Sequence, residues 1–254
     1  MNSLARGLAI LETFAQKGYS LSLAQLAREL GLPKSTVHRL VQTLTQLGYL
    51  HQPVKGGDYF LAPPVLKLGF ACLQGIPVRE AALPHLEELF QRLGENVNLS
   101  VLGRDEVIYV ARFQKREVLS LNLQVGSRLP LYSSSPGRVL AAYLPEQERR
   151  TLLERLYAQP EAASWLKDHG CDLAAVLEEV RAQGYATNDG EYLPELWAMA
   201  APVLDPRGQA QAAVSVALLK GGRSGEEIFQ RVSGPLLECA RRISSLLGTL
   251  GVQQ

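Results

Sequence analysis

Apolar side chains recur at intervals of three and four residues over the first 46 positions, the period of helices that each bury one face. Leu4, Leu8, Leu11 and Phe14 mark a first helix, which Ser3 can cap and which Lys17 and Gly18 end. Leu23, Leu26, Ala27 and Leu30 mark a second, from Ser22 to Leu30. Gly31 follows as the positive-φ residue that a sharp turn between helices needs. Pro33 suits the first turn of a third helix, because its missing N–H would have no helical partner there. That helix continues to about Gln46 and carries Val37, Leu40, Val41 and Leu44 on one stripe. The spacing of Ala27, Gly31, Val37 and Leu40 predicts two helices crossing steeply around a compact seam, a helix-turn-helix.

The third helix turns Ser35, Thr36, His38, Arg39, Gln42, Thr43 and Gln46 away from its stripe. Hydroxyl, amide and guanidinium groups on one face suit hydrogen bonding to base edges and phosphates in a major groove. Beyond Gly48, Tyr49–His51 and Asp58–Leu61 read as two short strands, joined by Pro53-Val54-Lys55-Gly56-Gly57. The hairpin forms a wing tipped by Lys55, placed to touch a phosphate backbone and add affinity without reading sequence.

Pro63 and Pro64 stop the wing, and Val65, Leu66, Leu68, Phe70, Ala71 and Leu73 make the next segment a strongly apolar helix ending at Gly75. It is too apolar to lie bare in water, so it packs either on its own domain or on a second subunit. From Val78 to Leu93 an amphipathic helix follows, bent at Pro84. Strands are expected at Val97–Leu102, Glu106–Phe113, Glu117–Leu123, Leu196–Leu204 and Gln209–Leu218. Helices are expected at Gly137–Leu144, Pro145–Ala158, Asp172–Gln183 and Glu226–Leu247. This mixture predicts an α+β domain. In the strand ending at Leu218, Val214, Val216 and Leu218 share one face, and Ala213, Ser215 and Ala217 the other. The small face leaves room either for a ligand or for a closely packed helix.

Charge sharpens the division. Residues 1–75 hold seven basic and three acidic side chains, a balance of +4, and the remainder balances at −3. A small basic module joined to a mildly acidic one fits a polyanion partner for the first alone. Cys72, Cys171 and Cys239 are widely spaced, and His38, His51, His85 and His169 stand apart, so no metal site, cofactor or disulfide framework is expected. No apolar run reaches the roughly 18 to 20 residues that span a bilayer, and the N-terminus lacks a secretory pattern, so no membrane association and a cytoplasmic address are expected.

Several of these stretches together carry a resemblance. Leu21-Ser22-Leu23-Ala24-Gln25-Leu26-Ala27, followed by Gly31-Leu32-Pro33-Lys34-Ser35-Thr36-Val37-His38-Arg39-Leu40, resembles the DNA-binding domain of the isocitrate lyase regulator (IclR) family of bacterial transcription factors. Gly94-Glu95-Asn96-Val97-Asn98-Leu99, Gly126-Ser127-Arg128-Leu129-Pro130-Leu131 and Ala200-Ala201-Pro202-Val203 resemble that family's effector domain, in the same order. The resemblance implies a winged helix-turn-helix domain over 1–62, a linker helix over 63–76 and a GAF-like effector-binding and oligomerisation domain with an antiparallel sheet over 77–254. It implies a homodimer, or a dimer of dimers, on an approximately palindromic double-stranded DNA operator, because one recognition helix reads only a few base pairs. Lys34, Ser35, Thr36, His38, Arg39, Gln42, Thr43 and Lys55 are the DNA-binding candidates.

The same resemblance places a small-molecule effector on Leu121, Leu129, Ser135, Pro136, Asn188, Ala198, Ser215 and Ala217. Here the chain departs from the carboxylate-gripping pattern of the founding member. Pro136 has no N–H, Ala198 and Ala217 stand where polar side chains are expected, and Asn188 replaces an acid. Each lost donor removes about 0.5 to 1.5 kcal/mol net. A larger or less acidic effector is therefore expected, aromatic in view of Trp197 and Tyr132 nearby.

Nothing in the sequence specifies chemistry. There is no nucleophile elbow, phosphate loop or dinucleotide fingerprint, and Gly221-Gly222-Arg223-Ser224-Gly225 lacks the lysine ending that grips phosphate. Ser133-Ser134-Ser135-Pro136-Gly137 reads better as a helix-capping turn than as an active serine. The expected function is a ligand-responsive regulator of a metabolic operon, more a repressor than an activator and not an enzyme. A metabolic enzyme with an appended DNA-binding module and a ligand-blind DNA-binding structural protein are the alternatives.

Overall fold

The computed structural model describes residues 3–115, 123–191 and 193–249. The chain divides into two compact units, Met1–Gly75 and Ile76–Gln254.

In the first unit, helices α1 (Ser3–Lys17), α2 (Leu23–Leu30) and α3 (Lys34–Gln46) enclose a core of Ile10, Phe14, Leu26, Val37 and Val41. Ser22 caps α2 through a reciprocal box: its hydroxyl accepts from the Gln25 N–H at 3.2 Å, and the Gln25 side chain accepts from the Ser22 N–H at 2.8 Å. Gly31 sits at φ 61°, so the chain turns within three residues, Gly31 to Pro33, and enters α3. Pro33 is the residue before α3 rather than part of its first turn. The wing strands are β2 (Leu50–His51) and β3 (Tyr59–Leu61), paired Leu50 with Leu61 and His51 with Phe60. A strand absent from the sequence reading, β1 (Ser20–Leu21), pairs with the other edge of β3; two residues are too few to carry a period.

The expected stripe on α1 is only half right. Ile10, Thr13 and Phe14 are buried, with the Thr13 hydroxyl donating to the Ala9 carbonyl at 2.7 Å, whereas Leu4 and Leu8 are exposed. Helix α4 (Val65–Gln74) goes further, since no residue in it is buried and Leu66, Leu68 and Phe70 are among the exposed large apolar side chains.

The second unit is built on a six-stranded antiparallel sheet in the order β6-β5-β4-β9-β8-β7, with β4 (Asn96–Leu102), β5 (Glu106–Phe113), β6 (Arg128–Pro130), β7 (Ala186–Asp189), β8 (Leu196–Leu204) and β9 (Ala210–Leu219). One face carries branched and large side chains, including Val97, Leu99, Val214, Val216 and Met199, and packs against α5 (Pro77–Leu93) and α10 (Gly225–Thr249). Helix α5 runs on through Pro84. Cys239 is buried in α10, and burial pushes its thiol pKa up to about 12, which keeps it in the unreactive protonated form.

The opposite face carries Ala186, Ala200 and Ala213 under α6 (Ser135–Ala142), with α7 (Glu146–Tyr157), α8 (Pro160–Asp168) and α9 (Leu173–Gln183) outside it. Here α6 begins two residues before the expected Gly137, and β6, β7 and α8 were not foreseen. The first two are short and polar or end in proline, and α8 has only Ala162 and Leu166 buried. The strand expected over Glu117–Leu123 falls on residues outside those described, except for Leu123.

Gly137 marks the tightest packing in this layer, because a Cβ built there would collide with the backbone of Leu131. Gly137→Ala should therefore lower unfolding free energy by about 1 to 3 kcal/mol through overpacking, read by denaturant titration. Gly31→Ala, in open space at positive φ, should cost about 1 to 2 kcal/mol through backbone strain alone.

Candidate functional site

Two places gather the sequence-derived candidates. The first is a groove between α3 and the wing. Lys34, His38 and Gln42 line it from the helix and Lys55 from the wing, with Thr45 and Gln46 deepening it. Ser35, Arg39 and Thr43 project from the adjoining file of the same helix and are exposed, and Thr36 is half-buried. The Thr43 hydroxyl donates to the Arg39 carbonyl at 3.0 Å, which leaves its oxygen as an acceptor. The groove also takes in Ser22 and Ala24 at the start of α2, and Gln52 and Tyr59 of the wing, which the sequence reading missed. Gln52 holds the turn, donating from Nε2 to the Gly57 carbonyl at 2.8 Å. The groove is lined by two lysines and no carboxylate, a surface suited to a polyanion.

The second place is a cavity of about 700 Å³, counted to its open mouth, on the small-residue face of the sheet at the start of α6. Of the expected effector residues, Leu129, Ser135, Pro136, Asn188, Ala198, Ser215 and Ala217 line it together, and Leu121 lies outside the described residues. Ala213, on the same face of β9, is covered by α6. The two uses foreseen for the small face thus occur side by side, packing at Ala213 and open volume at Ser215 and Ala217.

The expected aromatic neighbours are not in the lining. Trp197 is buried on the opposite face of β8, by strand alternation from Ala198, and Tyr132 packs on Trp165 with ring centroids 5.4 Å apart. The ring that lines the cavity is Tyr109, and beside it stands Arg112, whose guanidinium lies 5.7 Å from the Tyr109 ring centroid. Sequence reasoning missed both: three positions apart, they fall on opposite faces by simple alternation, and the register shift between Leu99 and Ser100 brings them to one face. Burial lowers the Arg112 pKa from its usual value, with Tyr109 opposing the shift.

Hydrogen bonding separates lining groups that are occupied from those that are not. The Ser134 hydroxyl donates to the Pro130 carbonyl at 2.7 Å and accepts from the Gly137 N–H at 3.3 Å, so the serine run is a helix cap. Asn96 bridges two strand ends, donating to the Ala217 carbonyl and accepting from the Lys115 N–H. By contrast Ser135 Oγ, Ser215 Oγ, Asn188 Oδ1 and Arg112 Nε are buried atoms with no hydrogen-bond partner. Asn188 donates its amide to the Ser133 carbonyl at 2.7 Å, which orients the amide and leaves Oδ1 as the free acceptor. Arg138, one turn into α6, is buried and clamps this wall: its Nε donates to the Tyr132 carbonyl at 3.0 Å and both terminal nitrogens grip Glu191.

Among the described residues no helix is long and apolar enough to cross a membrane, and no three His, Cys, Asp or Glu side chains form a metal-binding group.

Comparison with known proteins finds matches for both parts of the chain. Residues 3–53 match the model of the IclR helix-turn-helix domain, and residues 70–245 match that of the bacterial transcriptional regulator IclR C-terminal domain. The chain is 36% identical over 242 residues to the Pca regulon regulatory protein of Pseudomonas putida, covering 95% of this chain and 82% of that one. It is 31% identical over 220 residues to the transcriptional repressor IclR of Escherichia coli K12, covering 85% and 79%. A crystal structure of an IclR homologue from Microbacterium hydrocarbonoxydans, complexed with 4-hydroxybenzoate, superposes with a TM-score of 0.76 at 26% identity, covering 97% and 99% of the two chains.

Proposed function

The chain belongs to the IclR family of bacterial transcriptional regulators and is a DNA-binding regulator rather than an enzyme; on that premise we propose that it is a homodimeric repressor whose operator affinity is set by a small molecule in the cavity beside α6. The observation that carries this reading is the conjunction within one chain of an acid-free polar groove along α3 and a cavity lined by four unpartnered polar atoms. Lys34, Ser35, Thr36, His38, Arg39, Gln42 and Thr43 would face base edges and phosphates from α3, and Lys55 would touch the backbone from the wing. Leu129, Ser135, Asn188, Ala198, Ser215 and Ala217 would hold the effector. The Microbacterium homologue, complexed with a small molecule, supports a small-molecule ligand, and the E. coli relative, itself named a repressor, supports the sign of control.

The dimer is argued from surface. Helix α4 buries none of its residues, and Leu4 and Leu8 of α1 are exposed in the same unit. Of the two partners open to this apolar segment, its own domain does not cover it, which favours a second copy of the chain. We read residues 63–76 as the connector and 77–254 as the effector and oligomerisation domain. A two-fold pair would present its recognition helices about 34 Å apart, one turn of an approximately palindromic operator. Such a regulator works where the chromosome is, so the cytoplasmic address is part of the same reading. An effector that prefers one arrangement of the pair shifts the population by its differential affinity, a coupling of about 1 to 3 kcal/mol.

Against duplexes selected in vitro for specific binding, Arg39→Ala should lose about 1 to 3 kcal/mol of discrimination while keeping its fold by circular dichroism. Lys55→Ala should weaken specific and random duplexes alike and reduce the salt slope of binding by about 0.9. Unchanged specific binding in Arg39→Ala, or binding insensitive to salt in the unaltered protein, contradicts the assignment of the groove. Phe70→Glu should shift sedimentation from dimer towards monomer, and an unaltered assembly would remove α4 from the interface.

A further inference from the structure

We propose that Gln52 is a positioning residue of the DNA interface: by tying the base of the wing turn, it fixes Lys55 across from α3 at the spacing that admits one phosphodiester strand of a duplex. This rests on reading the groove between α3 and the wing as the DNA site, and it adds what sets the width of that groove and which wall of it carries affinity without reading sequence.

The wing has little backbone pairing to hold its tip. The β2–β3 ladder consists of Leu50 with Leu61 and His51 with Phe60, and it ends there. Tyr59, the next residue of β3, pairs with Leu21 of β1 on the other edge. Residues 52–58 leave the sheet as a loop. Inside that loop the Gly57 N–H donates to the Val54 carbonyl at 2.9 Å, with Gly56 at φ 82°. A Cβ on Gly57 would stand 3.1 Å from the Val54 carbonyl oxygen, so the turn has one compact shape. Its shape is fixed, but so short a ladder does not fix where the turn sits relative to the sheet.

The Gln52 side chain takes over where the ladder stops. Its Nε2 donates to the Gly57 carbonyl at 2.8 Å and closes the loop across its base. On the other edge the Ser20 hydroxyl donates to the Asp58 carboxylate at 3.3 Å, a longer and exposed contact. Gln52 and Lys55 both line the groove, so the tether and the cation it carries share one wall.

The opposite wall shows what the tether governs. Lys34 and His38, one turn apart on α3, line the groove from the helix side, and no carboxylate joins the lining. A recognition helix in the major groove and a wing beside it straddle one sugar–phosphate strand, which then runs between the two walls. Ser35, Arg39 and Thr43 lie outside the groove on the adjoining file of α3, so their contacts with base edges do not depend on the wing. Wing position therefore governs affinity for phosphate and leaves sequence preference with α3. A tip without its tether keeps the Lys55 charge, but it must be ordered at each binding event, and that entropy cost lowers affinity for every duplex alike.

The test uses the full-length protein, a labelled random-sequence duplex and a duplex selected in vitro for specific binding, with affinity read by fluorescence anisotropy at fixed salt and thermal unfolding measured in parallel. Gln52→Met keeps the length of the side chain and removes its N–H donors. It should weaken both duplexes alike, by about three- to tenfold, with their ratio and the unfolding midpoint unchanged. Gln52→Asn, which keeps the amide but is too short to reach the Gly57 carbonyl, should reproduce the loss. In a Lys55→Ala background Gln52→Met should change affinity by less than about twofold, because no charge is left to position. A penalty that persists in full without Lys55 would overturn the inference, and so would unaltered affinity in Gln52→Met or a changed ratio between the duplexes. If Lys55→Ala alone fails to weaken the random duplex, the wing is no backbone contact and the positioning role falls with it; in each of the other outcomes that reading of the wing stands.

Discussion

The C-terminal unit depends on how closely α6 can approach the sheet. Ala200 and Ala213 present almost no side chain beneath it, and Gly137 lets the helix touch the Leu131 backbone where any Cβ would collide. With the helix seated there, its N-terminal turn is held to within one geometry by the Ser134 cap and by Arg138, which grips the Tyr132 carbonyl and Glu191 together. The neighbouring small residues, Ser215, Ala217 and Ala198, lie just beyond the helix and stay uncovered, so the same choice of small side chains that packs one end of the sheet opens a cavity at the other. Close packing and binding volume are two results of one constraint.

The N-terminal unit works differently. Its core is small, and its order comes from punctuation: a reciprocal cap at Ser22, a left-handed residue at Gly31, and a proline ahead of α3. These set the turn from α2 into α3 with few buried residues, and they leave one side of α3 polar and uncovered. A helix so placed is stabilised by its inner stripe and is free to spend its outer one on recognition.

Legibility followed the strength of the local signal. The helix-turn-helix could be read from Ala27, Gly31, Val37 and Leu40 because each residue has a backbone or packing reason to be there. The long strands of the sheet were legible because β4, β5, β8 and β9 are long enough to show alternation, whereas β1, with two residues, and β7, reading Ala-Thr-Asn-Asp, show none. On α1 the period was right and the stripe was partly wrong, since Leu4 and Leu8 satisfy the spacing and yet face water; periodicity reveals an apolar face without telling which partner covers it. The cavity was half legible. Ser215 and Ala217 stood out as small residues on one face, but Arg112 and Tyr109 come from a strand whose place beside β4 is a matter of topology, and no local pattern brings them to Asn188. Trp197 was misplaced for a related reason, since adjacency in sequence puts neighbouring strand residues on opposite faces.

Helix α4 carries a consequence for the amount of protein. Ten residues without a buried side chain raise the free energy of a lone subunit in water, and in the proposed dimer two copies would remove that surface together. Folded, DNA-competent protein would in that case follow mass action, with a melting point that climbs as the solution is concentrated. For such a dimer, halving the number of chains in a cell would reduce operator occupancy more than twofold, since dilution would both remove molecules and dissociate those that remain, and the response to a falling supply of regulator would be steeper than linear without any further device.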